Sequence, residues 1–173
     1  AAAQADRFAF KPIPIYTDST VHVPEGYSWN TLVSWGDPLF SGVAELDHAT
    51  GGSAADADKI FGENTDGMEL FVVGGRQVIA VNHEYTNNDI NLPQATDGTP
   101  RDAQDVRKLQ NLQGVAVFEV AETDGNWAVV KDSSLNRRIT HNTPMRISGP
   151  AAGHDLLKTE ADPTGMESLG TFN

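Results

Sequence analysis

The chain has 173 residues, with 24 Asp or Glu against 12 Lys or Arg and a formal net charge of -12. That length holds one domain with a core. The acidic balance excludes the basic surface that nucleic-acid phosphates require, the lack of cysteine excludes disulfides and thiolate metal sites within these residues, and no apolar run is long enough to span a membrane.

Ala1-Ala2-Ala3-Gln4-Ala5 is small-residue sequence of the kind that flanks a signal-peptidase site. Residues 1–10 are therefore expected to be a flexible tail left after signal removal, ahead of a domain at 11–173. Asp18-Ser19-Thr20 reads as a turn, because nothing local activates Ser19 as a nucleophile. Residues 27–35 are aromatic and β-branched and predict a strand. Residues 54–60 predict a short helical turn.

Residues 69–73 and 77–81 are β-rich runs on either side of Gly74-Gly75-Arg76, which predicts a hairpin. Asn87-Asn88-Asp89-Ile90-Asn91 is rich in oxygen donors and reads as an exposed polar loop. A helix follows, with Thr99 as cap, Pro100 in the first turn and Asp102 favouring the helix start. Val106, Leu109 and Leu112 supply its apolar spacing and Gly114 its end. Residues 115–120 and 127–130 then predict a second hairpin around Asp124-Gly125-Asn126. The pairs Asp66-Gly67, Asp97-Gly98 and Asp124-Gly125 are turn formers first, since no EF-hand spacing surrounds them. Arg137-Arg138 is able to grip a phosphate but is expected to be a solvated pair. The fold class is thus all-β with short helical insertions, a propeller or a sandwich.

The densest cluster of chemistry is Val81-Asn82-His83-Glu84-Tyr85-Thr86. Alternation along a strand puts Asn82 and Glu84 on one face and His83 on the other. A carboxylate at a rigid strand end suits a hard cation. The residues taken alone favour a polar strand end facing water. P-loop, nucleophile-elbow and His-Glu-x-x-His patterns are absent.

The segments together resemble the PhoX-type alkaline phosphatases. They occur in that family's order: Phe10-Lys11-Pro12-Ile13-Pro14, Val23-Pro24-Glu25-Gly26-Tyr27, Trp35-Gly36-Asp37-Pro38-Leu39, and Phe61-Gly62 with Asn64 and Asp66. Then come the 81–86 cluster, Gly114-Val115, Asn136-Arg137-Arg138-Ile139-Thr140, Asn142-Thr143-Pro144-Met145, and Ser148-Gly149-Pro150-Ala151-Ala152-Gly153-His154. Glu63 and Thr65 depart from the family's Tyr-Asn-Asn-Asp pattern, which weakens a metal role for that loop.

The resemblance implies a six-bladed β-propeller of which this chain is the N-terminal part, about two or three blades. It implies a phosphomonoesterase using calcium (Ca2+) and iron (Fe3+), exported by the twin-arginine route to the periplasm or beyond, with a phosphate ester as substrate. It also implies that most ligands and phosphate-binding arginines, and an iron-ligating cysteine, lie downstream of Asn173. A second polypeptide carrying that C-terminal part is therefore an expected partner. Carried over residue by residue, Glu84 is the foremost metal-facing carboxylate and Asp37 a second. Asn82 and His83 are expected to orient Glu84, and His154 to stand near the substrate. The alternatives are a non-catalytic calcium- or ligand-binding propeller relative and a structural fragment with no site of its own.

Overall fold

The computed structural model describes residues 10–160 and 162–169, so the expected tail lies, but for Phe10, outside the described residues. The chain divides into two compact units, Ala1–Leu32 and Val33–Asn173. Within the first, Thr20 N–H donates to Asp18 Oδ1 at 2.9 Å, the local bond of an Asx-type bend. The Tyr16 and His22 rings stack there with centroids 3.6 Å apart.

The second unit is built on antiparallel sheet. Strands β1 (Thr65–Val73) and β2 (Arg76–His83) form the first predicted hairpin. Gly74 and Gly75 both take positive φ, 58° and 81°, as a two-residue I′ turn demands. Helix α1 (Asn88–Asn91) follows, then α2 (Ala103–Leu112). Strands β3 (Gly114–Thr123) and β4 (Asn126–Val129) form the second hairpin, turning on Asp124 and Gly125 at φ 53° and 80°. Strand β5 (Arg137–Ile139) lies on the same edge of β3 as β4, pairing residues 115–117. The sheet order is β1-β2-β3-β4, with β5 beside β3. A separate pair joins β6 (Pro144–Arg146) to β7 (Glu167–Leu169). The described architecture is mostly antiparallel sheet with few helices, and the sheet does not close.

The core follows the two-residue period of β2 and β3. Ile79, Val81 and His83 alternate inward from β2, and Ala116, Phe118 and Val120 from β3. Phe61 lies edge-on to both His83 and Phe118. Leu112 of α2 packs with Ala57 and Ile60. A buried aromatic such as Phe118 contributes about 2–3 kcal/mol by its removal from water.

Three expectations change. Residues 27–35 belong to no strand; Tyr27 and Trp29 remain exposed, and no neighbour among the described residues supplies a ladder. Residues 54–60 form successive turns, and Ile60 makes an isolated bridge to Pro38. The cap of α2 is Asp102, whose side chain accepts from Gln104 N–H and Asp105 N–H at 2.8 and 3.0 Å. Thr99 precedes Pro100 and lies outside the first turn, so the carboxylate nearest the free amides takes the role.

Candidate metal centre at the open end of the first hairpin

The end of β2 away from the glycine turn gathers the groups of interest. Asp66 of β1 stands directly across from Asn82 of β2. Cross-strand partners share a face of the sheet, and Asn82 Nδ2 donates to Asp66 Oδ1 at 3.0 Å. The register slips between Asp66 and Glu69, a bulge that bends β1 away just past this point. Glu84 follows Asn82 by two residues and is exposed. Its N–H donates to the carbonyl of Asn64 at 3.1 Å, and Asn64 Nδ2 donates to the carbonyl of Tyr85 at 2.9 Å. Asn64 holds a left-handed φ of 48°, a conformation Asn tolerates better than most residues.

His83 points to the other face, as alternation requires, and is wholly buried. Gly62 N–H donates to its Nε2 at 3.4 Å, so the ring carries its proton on Nδ1. Burial, and secondarily the charge of Arg138, pull His83 from 6.5 down to about 3, with the backbone of Glu63 acting the opposite way. This histidine is a neutral brace between β2 and the 61–64 segment, working through the core and not beside the carboxylates.

The other expected residues sit in turns. Asp37 Oδ2 accepts from Ser34 N–H at 2.7 Å, while its carbonyl accepts from Phe61 N–H at 2.8 Å. His154 is exposed and its Nδ1 accepts from Leu156 N–H at 3.1 Å, capping the short 3-10 turn Asp155–Leu157. Asp66, discounted in the sequence as a turn former, is instead a strand residue beside Asn82; only its place in the 61–66 motif pointed to it.

Two polar features run against expectation. The 87–91 segment is no exposed loop: Asn91 is wholly buried, and with Asn87 it binds Glu63. Arg138 is no solvated partner of Arg137. Its Nη2 donates to the carbonyls of Asn111, Leu112 and Gln113 at 2.8, 3.0 and 3.4 Å, closing the C-terminal end of α2. Its Nε and Nη1 are sealed from solvent. Burial pulls this guanidinium down from 12.5 to about 10, and Asp58 works against the drop.

Asp66, Asn82 and Glu84 offer oxygen donors only, the chemistry that calcium prefers. They fall short of the six to eight oxygens calcium takes. Among the described residues, no three His, Cys, Asp or Glu side chains are placed to hold a metal ion. The same holds for iron among the described residues: the chain has no cysteine, and His83 faces the core. No helix among the described residues is long and apolar enough to cross a membrane.

A family model described as "Alkaline phosphatase PhoX" matches residues 8–173. A solved structure, "Pseudomonas fluorescens PhoX in complex with vanadate, a transition state analogue", is similar at 45% identity and a TM-score of 0.87. The similarity covers 94% of this chain and 28% of that one, so the chain spans under a third of that relative's length. No curated protein matches the chain.

Proposed function

The chain belongs to the PhoX alkaline phosphatase family, and from that premise we propose that it forms part of an exported, calcium- and iron-dependent phosphatase that releases phosphate from phosphate monoesters. The observation that carries this reading is 45% identity over 94% of the chain with a protein that binds vanadate as a transition state analogue. Residues 11–173 contribute to one propeller domain, and the rest of the machinery is supplied by polypeptide beyond the share matched here, in the same chain or in a second one.

The exposed edge supports the propeller. Leu70 and Val72 lie on one face of β1, Phe71 and Val73 on the other, and all four are about half exposed or more. An edge strand apolar on both faces calls for cover on both, which stacked blades provide.

In this reading Glu84 and Asp66 present carboxylate oxygens to calcium, and Asn82 orients Asp66 while offering its amide oxygen. Bound calcium supplies positive charge to the phosphate oxygens of the ester. The chain's own part is to hold these donors rigid: the cross-strand bond fixes Asp66, and Asn64 fixes the backbone at Glu84 and Tyr85. Asp37 is taken as a further carboxylate for calcium, and His154 as a residue near the substrate. Iron is to be held by residues outside this chain. Passage through the twin-arginine route to the periplasm or beyond fits a protein loaded with metal before export.

Hydrolysis of p-nitrophenyl phosphate at alkaline pH, with calcium and then with a chelator, tests the activity. Turnover abolished by the chelator is expected. Glu84→Gln is expected to weaken calcium binding roughly tenfold with little change in melting temperature in chelator. Wild-type calcium affinity in that variant would make Glu84 a surface residue. Calcium-dependent melting without turnover would leave the non-catalytic relative.

A further inference from the structure

Arg137 and Arg138 border a part of the molecule that the reading above does not use. An open hollow of about 590 Å3 lies beside β5, within the roughly 300–1,000 Å3 of small-molecule clefts. Phe40, Ser41 and Val43 line it from one loop, and Asp56, Asp58 and Lys59 from the turns at 54–59. The two arginines of β5 complete the wall. All of these residues belong to the second unit.

The charges on this wall do not cancel. Lys59, Arg137 and Arg138 stand against Asp56 and Asp58, which leaves one excess positive charge in a chain of net charge -12. Asp56 is already engaged: Oδ2 accepts from Ser53 Oγ at 2.8 Å, and Oδ1 lies 3.5 Å from Lys59 Nζ. Lys59 Nζ also donates to the Ala55 carbonyl at 2.6 Å, and an ammonium has a third proton to give. Arg137 is exposed, and among the described residues no ion pair forms on it. Its backbone is fixed by pairing with Val117. Arg138 has no ion pair among the described residues either, and only Asp58 works against the fall that burial imposes on it. Its sealed donors reach no ligand, so it acts on the hollow through its charge, which a buried setting screens poorly.

These donors suit an oxyanion. A guanidinium forks onto two oxygens of a phosphate, Lys59 adds a point charge, and Ser41 adds a hydroxyl donor. Phe40 and Val43 add apolar surface to the same wall. We propose that the hollow binds a phosphate-type dianion, held by Arg137, Lys59 and Ser41 with the charge of Arg138 behind them. The site needs neither calcium nor Asp66, Asn82 and Glu84, and all of its residues lie in this chain.

The test is a titration of the 173-residue chain with inorganic phosphate and with phenylphosphonate, in metal-free buffer at alkaline pH and fixed ionic strength. Amide NMR shifts at residues 40–43, 56–59 and 137–138 report binding. Saturable shifts at these residues are expected. Arg137→Met is expected to weaken binding roughly tenfold, the size of one lost charge-assisted bond. Asp58→Asn is expected to tighten it about threefold, since one repelling charge leaves the wall. Arg107→Met, which removes an exposed charge from α2, is expected to change nothing. Tighter binding of phenylphosphonate would assign Phe40 and Val43 to the organic part of a phosphate ester; equal binding would assign the hollow to inorganic phosphate. Both keep the proposal. Shifts that chloride produces equally, or that never saturate, would mean an adventitious ion only and overturn it. So would wild-type affinity in Arg137→Met, or an equal loss in Arg107→Met, which would reduce the effect to net charge. If Arg137→Met fails to fold, Lys59→Met takes its place, and wild-type affinity there overturns the proposal.

Discussion

Replacing Arg138 by Met keeps a long apolar stem and removes the guanidinium. Two effects oppose each other. Nη2 makes two well-formed bonds, to the carbonyls of Asn111 and Leu112 at 2.8 and 3.0 Å, and a longer one to Gln113 at 3.4 Å. Bonds from a charged donor contribute about 1.5–3 kcal/mol each, so the good pair is worth about 3–6 kcal/mol, with a further favourable interaction between the cation and the helix C-terminus. Against this, the fall from 12.5 to about 10 on burial corresponds to roughly 3 kcal/mol for keeping the charge in the fold. The bonds win by a modest margin, and Arg138→Met is expected to destabilise by about 2 kcal/mol. For a domain of this size that lowers the melting temperature by about 4–8 °C, read by circular dichroism and checked by urea unfolding. Arg137→Met, on an exposed residue, is expected to stay within about 0.5 kcal/mol of wild type. Equal melting temperatures for the two variants would refute the reasoning and restore Arg138 to the surface.

Two further outcomes follow from the same packing. His83 is neutral in the fold with its value near 3, so between that value and about 6.5 the unfolded chain binds the extra proton and stability falls as pH falls; from pH 7 to pH 5 this group removes roughly 2 kcal/mol, and urea unfolding of His83→Gln is expected to lack that part of the slope. A Cβ on Gly62 would meet the Leu112 carbonyl oxygen at 2.5 Å and His83 Cγ at 2.7 Å; Gly62→Ala is therefore expected to cost about 1–3 kcal/mol, and a melting temperature equal to wild type would show that both the end of α2 and the ring give way freely.

The amino-acid sequence by itself determined the two hairpins, because a hairpin is local. Gly74-Gly75 and Asp124-Gly125 supply the positive φ values their turns require, and a short turn of fixed length sets the register of the β-rich runs beside it. It also determined that His83 and Asn82 face opposite ways. The cap of α2 was legible to within three residues, since Thr99 and Asp102 carry the same chemistry and only the backbone decides which one meets the free amides. Tertiary structure alone decided the rest. The bond between Asp66 and Asn82 depends on a register slipped by a bulge at Gly67, which holds a φ of 52°, and in sequence the Asp66-Gly67 pair reads equally well as a turn. Glu63 meets Asn87 and Asn91 across 24 and 28 positions of sequence, and Arg138 reaches α2 across 25 to 27. A charged or amide side chain looks the same in sequence whether it meets water or a buried partner, and which of these it meets is set by where distant segments pack.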